Sequence, residues 1–207
     1  MAFDGITIAA MVSELNKNLS GGRINKIAQP ESDELLITAK GANGQKRLLL
    51  SASASLPLIY FTGKNRISPL TAPNFCMLLR KHIGSARITA IRQPGLERVV
   101  EFELEHLNEL GDVCHKVLIM ELMGKHSNLI FCDDKNMILD SIKHVSCNVS
   151  SVREVLPGRP YFIPHTQDKQ DPLTISKEDF MEKVCGKSTA ISKALYQTLT
   201  GLSPVMA

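Results

Sequence analysis

Arg98-Val99-Val100-Glu101-Phe102-Glu103-Leu104-Glu105 alternates apolar and acidic side chains from Val100 onward. A period of two sends Val100, Phe102 and Leu104 to one face and three carboxylates to the other. That is the pattern of a half-buried antiparallel strand, and it predicts a solvated outer face. Outward from this stretch, strand-length runs recur at 87–92, 116–122, 128–132 and 137–142. Four more precede them at 23–28, 34–39, 47–51 and 58–62, broken by Gln29-Pro30, Gly41-Ala42-Asn43-Gly44 and Gly63-Lys64-Asn65. Two helices interrupt the strands. Ile8, Met11, Val12, Leu15 and Leu19 fall at helical spacing over 4–19 and end at Ser20-Gly21-Gly22, while Ala72-Pro73-Asn74 opens a second helix over 75–83 that stops at Gly84. Strand runs outnumber helices and are joined by hairpin-sized gaps, so residues 1–170 are expected to fold as an α+β domain of mostly antiparallel, two-layered sheets with flanking helices.

After this domain the pattern changes. Pro157, Pro160, Pro164 and Pro172 punctuate a passage read as a linker, and helical periodicity returns at 177–184 and 190–199. The chain closes on Gly201-Leu202-Ser203-Pro204, a helix-break opening without a second helix, so residues 171–207 are expected to begin a second, truncated unit.

Composition narrows the class. The chain has 207 residues, 43% hydrophobic and 22% charged, which suits a soluble globular fold with a substantial core. No run of 18 apolar residues is present, and Asp4 stands where a signal peptide needs basic residues, so no membrane partner is expected and a cytoplasmic location is the default. The five cysteines are odd in number and lack a CxxC pair, which fits reduced thiols. Charge is uneven along the chain. Residues 1–100 carry 13 Lys and Arg against 6 Asp and Glu, although the whole chain is only +3. From Lys64 to Arg98 the bases Lys64, Arg66, Arg80, Lys81, Arg87, Arg92 and Arg98 meet one acid, Glu97. Such a surplus suits a polyanion, but the same bases also suit ion pairs with Glu101, Glu103, Glu105, Glu109 and Asp112 on neighbouring strands.

Catalytic and metal signals are weak. Gly186-Lys187-Ser188-Thr189 looks like the end of a phosphate-binding loop, yet Met181 stands where that motif needs glycine and a helix precedes it. Cys114, His115, Cys132, His144 and Cys147 lack the paired spacing of a structural zinc site, and His126 and Ser127, if on a strand, point to opposite faces and form no dyad. No cofactor or metal is expected. Two stretches stand out instead. Glu97-Arg98 follows Gln93-Pro94-Gly95 where a tight turn enters a strand, and Glu121-Leu122-Met123-Gly124-Lys125-His126-Ser127-Asn128 places an acid in an apolar strand and a polar, basic cluster after a glycine. Read by themselves, Glu97 and Arg98 are equally a hairpin with solvated charges.

These stretches, together with LSGGRINKI (19–27), NFCMLLRKH (74–82), ILDSIKHV (138–145), Arg153 and Pro157-Gly158, resemble the N-terminal domain of the NFACT family over about three quarters of the chain. The resemblance implies a component of ribosome-associated quality control. Such a protein binds the large ribosomal subunit carrying a stalled peptidyl-tRNA and recruits alanyl-tRNA for untemplated C-terminal alanine tailing. The ribosome makes the peptide bond, so the protein is implied to position tRNA and not to be an enzyme. Family members are also named fibronectin-binding proteins, which leaves a surface adhesin with fibronectin as partner as the alternative. The resemblance carries tRNA binding onto Asp4, Glu97 and Arg98, with Glu97 standing where the family has aspartate. It extends to Glu121 and Met123 by motif, and to Arg80, Lys81, Lys125 and His126 by charge and position. It also implies a fold similar to the N-terminal domain of formamidopyrimidine DNA glycosylases. Their base-excision chemistry is not expected, because Ala2 and Phe3 replace the proline nucleophile and its neighbouring glutamate. The segment after residue 170 is implied to open a helix-hairpin-helix unit.

Overall fold

Asp4 starts the first helix. Its carboxylate accepts the Thr7 N–H at 2.8 Å and caps α1 (Gly5–Leu19), which buries Ile8, Leu15 and Leu19. In the computed structural model, which describes residues 3–164 and 168–207, α1 leads into four strands: β1 (Arg23–Ala28), β2 (Glu34–Gly41), β3 (Gly44–Ser51) and β4 (Leu58–Phe61). The second helix α2 (Asn74–Ile83) follows. Five strands complete the domain: β5 (Arg87–Arg92), β6 (Val99–Leu107), β7 (Val113–Glu121), β8 (Asn128–Asp133) and β9 (Ile138–Ser141). All nine strands join one sheet in the order β4-β3-β2-β1-β5-β6-β7-β8-β9, and every pairing is antiparallel.

The sheet folds on itself at its middle. β1 and β5 share a single register pair, Arg23 with Arg87, where every other neighbouring pair forms a longer ladder. Past that pair, the Ile91 backbone has no strand partner on this side, and Asn16 of α1 supplies one: its amide donates to the Ile91 carbonyl at 2.5 Å and its oxygen accepts the Ile91 N–H at 3.0 Å. The two halves face each other across the core. Leu48 of β3 and Leu118 of β7 line the same small void of about 10 Å³, with Ile24, Ile37, Ile88, Phe102 and Leu104 between them. Lys143, just past β9, donates to the carbonyl of Ala52, just past β3, and ties the outer ends together. α2 rests against β1: Phe75, Cys76, Leu79 and Ile83 are buried, and Arg80 Nε donates to the Ile27 carbonyl at 2.8 Å.

The α+β class and the antiparallel sheet agree with the sequence pattern. Element ends differ where turns do: β3 begins at Gly44, because a tight turn with Gly44 at φ 88° carries the ladder to the Gly41–Gly44 pair. The expected solvated face of β6 needs correction. Residues 142–164 cross that face, so Val99, Ile119, Ile130, Cys132, Ile138 and Val155 form a second buried cluster. Glu101 is half-buried beside it, and burial, reinforced by Glu103, raises its carboxyl pKa against the opposing pull of Arg92. Burial and neighbouring carboxylates push the Cys132 thiol up to about 12, which keeps it protonated and inert.

The predicted helix over 177–184 is a short turn, α3 (Lys177–Phe180), that passes into a π-helical turn, Met181–Cys185. The next, α4, runs Ile191–Thr198. Val184, Ala194 and Leu199 form a separate small core there. The Gln170 backbone pairs with this segment, bonding Thr198 and Thr200 at 2.8 and 2.9 Å. No helix among the described residues is long and apolar enough to cross a membrane.

Candidate functional site

The turn 93–98 is built to receive two other chain segments. Glu97 N–H bonds the Pro94 carbonyl at 3.0 Å, Gly95 takes φ 52°, and the Gln93 amide bridges the Gly5 and Glu97 carbonyls at 2.8 and 2.9 Å. Gly5 and Gly201 lie against this turn so closely that a Cβ on either would sit 2.1 or 2.4 Å from the Leu96 carbonyl oxygen. Only glycine permits that approach. Gly5 N–H donates to the Gly201 carbonyl at 2.7 Å, and Ser203 Oγ donates to Asp4 at 2.7 Å. The N-terminus of α1, the β5–β6 turn and the segment after α4 therefore meet at one seam.

An open cavity of about 440 Å³ lies along this seam, and Asp4, Glu97, Arg98, Met123, Lys169, Tyr196 and Ser203 line it. The Arg98 carbonyl accepts the Leu122 N–H at 2.9 Å, so this residue is fixed at the mouth of the β6–β7 ladder with its side chain half-exposed. Met123 is held by its N–H on Ser127 Oγ at 2.9 Å. Lys169 donates to the Tyr196 carbonyl at 2.8 Å. Burial lowers the pKa of its ammonium and the Arg98 charge lowers it further, while Glu97 acts in the opposite direction. Burial pushes the Asp4 carboxyl up, but the Thr7 N–H and the Ser203 hydroxyl outweigh it and hold the group below its ordinary value. Two cations beside two carboxylates, one free to accept and one engaged as a cap, suit a ligand that presents both anionic oxygens and hydrogen-bond donors.

Of the residues singled out from the sequence, Asp4, Glu97, Arg98 and Met123 converge on this cavity. The others do not line it. Lys125 and His126 are exposed on the tight turn after Met123, and Arg80 and Lys81 lie on the last turn of α2. Glu121 is 1% exposed, and both of its oxygens accept Arg153 Nη2, at 2.6 and 2.5 Å, with Tyr161 OH at 3.0 Å. Arg153 also packs over the Tyr161 ring. Burial, then the Glu121 charge, drives the Tyr161 phenol far upward, so it stays a donor to Glu121. This cluster pins residues 142–164 to the end of β7, immediately before Met123. Among the described residues no group of His, Cys, Asp and Glu is arranged to hold a metal.

Sequence reasoning missed Lys169, Tyr196, Gly201 and Ser203. Their segments were read as a linker and a separate unit, and nothing local signals that Ser203 reaches back across 199 positions to Asp4. Ala2, weighed as the counterpart of a glycosylase nucleophile, lies outside the described residues.

An antiparallel α+β domain with a helical unit closed over a charged seam defines the class. Residues 4–207 match the NFACT N-terminal and middle domains, and the chain belongs to that family. It is 40% identical over 210 residues to the Rqc2 homolog RqcH of Bacillus subtilis, covering 100% of this chain and 36% of that protein. It is 25% identical over 175 residues to the mouse ribosome quality control complex subunit NEMF, covering 84% of this chain and 16% of that one. The chain thus spans about a third or less of the length of these relatives. The crystal structure of the N-terminal domain of fibronectin-binding protein PavA from Streptococcus pneumoniae superposes with a TM-score of 0.90 at 35% identity, over 99% of this chain and 77% of that one.

Proposed function

We propose that this chain is the tRNA-engaging part of a ribosome quality control factor. It binds tRNA at the seam and assists the large ribosomal subunit carrying a stalled peptidyl-tRNA, with alanyl-tRNA recruited for untemplated alanine tailing. The observation that carries the reading is the convergence on one cavity of Asp4, Glu97, Arg98 and Met123, onto which the family resemblance carries tRNA binding. The names of the relatives RqcH and NEMF support the quality-control setting. In this reading the chain positions RNA and is not an enzyme, works in the cytoplasm, and divides into a domain over 1–170 and the opening of a helix-hairpin-helix unit over 171–207. The likeness to the N-terminal domain of formamidopyrimidine DNA glycosylases is part of the proposal and concerns fold alone. Arg98 and Lys169 hold phosphate oxygens, Glu97 accepts from a base edge, and Asp4 acts by keeping the seam closed.

Sequencing the RNA that copurifies with the chain tests this directly. Enrichment of tRNA over other RNA of similar length is expected. The name of the structural neighbour PavA supports a second reading, an adhesin. Capture on immobilised fibronectin, with no RNA enriched, would favour it over the first.

A further inference from the structure

The outer face of β1–β3 carries a cationic field that the seam does not use. Register pairs place Arg23 opposite Lys40, and Lys26 opposite Thr38, which in turn faces Arg47 on β3. The core-facing partners Ile24, Ile27, Ile37, Ala39 and Leu48 occupy the other side, so the four cations share the outer face. The one acid on that face is Glu34, and Arg66 reaches it at 3.5 Å. Among the described residues Arg23, Lys26, Lys40 and Arg47 have no carboxylate within salt-bridge distance. Arg23 and Lys40 are like charges in direct cross-strand register and repel, while Lys26 and Arg47 flank Thr38 from either side, so an anion lying across this face is favoured. The field ends at β5, where Arg87 stands opposite Glu105.

The surface is also shaped. Two hollows of about 460 and 330 Å³ lie side by side and share Gln45 and Arg47. The first takes in Asn25, Lys26, Thr38 and Arg66, and the second runs past Lys46 to Gly63. Ala28, Leu36 and Leu49 form a small buried floor under this face. None of the residues lining either hollow lines the seam cavity. The result is a trough with unpaired cations on β1 and β3, two strand spacings of about 4.8 Å apart, lined by amides and hydroxyls able to hydrogen-bond sugar and phosphate.

We infer that this trough is a second RNA-binding surface, which grips the phosphodiester backbone of an RNA segment through Lys26 and Arg47 independently of the seam. Charge complementarity selects the occupant. A backbone of regularly spaced single negative charges matches separated cations, and amide and hydroxyl side chains stand beside them to meet its sugar and phosphate oxygens. The inference rests on the RNA-binding reading of the chain, and the test separates the two.

The 207-residue chain is titrated with total tRNA and with an RNA hairpin across a salt series, as the parent, as Lys26→Ala/Arg47→Ala and as Arg98→Ala, with melting recorded for each. The trough variant is expected to melt like the parent. Its log affinity against log salt should be shallower by about 1.4, for two contacts at ~0.7 each, with affinity at low salt down on the order of tenfold. Added to Arg98→Ala, the Lys26→Ala/Arg47→Ala pair should lower the slope by the same amount as it does in the parent. A trough variant with the parent's slope and affinity overturns the inference while leaving the seam untouched. A parent that binds neither RNA overturns both. Equal displacement of RNA by polyglutamate of the same charge would assign the trough to acidic protein and also overturn it. If Lys26→Ala/Arg47→Ala melts low, the charge-keeping Lys26→Arg/Arg47→Lys pair decides: parental binding supports the inference and lost binding contradicts it.

Discussion

Glu121 and Arg153 are 32 positions apart and make the most buried ion pair among the described residues, with 1% and 9% of their side chains exposed. Removing one partner from such a pair leaves an uncompensated charge in a low-dielectric site. Glu121→Gln is therefore expected to destabilise the chain by about 3–5 kcal/mol, read as a lowered melting temperature, and Glu121→Gln/Arg153→Met should recover much of it. A Glu121→Gln chain that melts like the parent would show that the pair does not hold residues 142–164 in place. Asp4 gives a pH signature. Its folded pKa lies below the ordinary 3.8, so its stabilisation is fully present above that value and is lost as pH falls through the folded pKa. A stability profile measured through this acid range should decline less steeply in Asp4→Asn, which keeps the cap but cannot titrate. The sequence made Asp4 and Glu121 visible as acids in odd places. It could not show that one is a cap latched to Ser203 or that the other is spent on Arg153, because both partners are remote in the chain.

At the scale of elements, the strands and the first two helices were legible because their signals are local: alternation in β6, helical spacing in α1, proline and glycine around α2. The covering of the β6–β9 outer face was not. Residues 142–164 form no regular element over most of their length, and their docking depends on Val155 and Tyr161 meeting apolar side chains from four strands. Gly201 shows how closely elements meet at the seam. With φ 79° and a Cβ position 2.4 Å from the Leu96 carbonyl, Gly201→Ala combines backbone strain with a clash. It should cost about 1–3 kcal/mol of stability and loosen residues 199–203, seen as faster amide hydrogen exchange there. Unchanged exchange would mean that the turn 93–98 does not clamp this segment.

The fold as a whole turns on one meeting, that of the N-terminus of α1 with the segment after α4 over the β5–β6 turn. The Pro-rich passage looked like a linker by composition, yet its own Lys169 lines the cavity, and the chain beyond it returns to Asp4 and closes the cavity with Tyr196 and Ser203. This explains how a polar site forms at the edge of an antiparallel domain whose two halves close on a void of about 10 Å³. It also makes Arg98 the residue on which the functional account depends, since its backbone is fixed by Leu122 and its guanidinium faces the cavity beside Lys169. The most direct measurement is tRNA affinity of the parent, Arg98→Ala and Arg98→Lys at one salt concentration, with melting temperatures recorded for each. A charge-assisted contact is worth about 1.5–3 kcal/mol, so Arg98→Ala should weaken binding by roughly tenfold to more than a hundredfold at parental stability. Arg98→Lys should recover only a minor part, because a point charge does not replace a planar fork. Parental affinity in an Arg98→Ala chain that melts like the parent would contradict the assignment of the seam as the tRNA site.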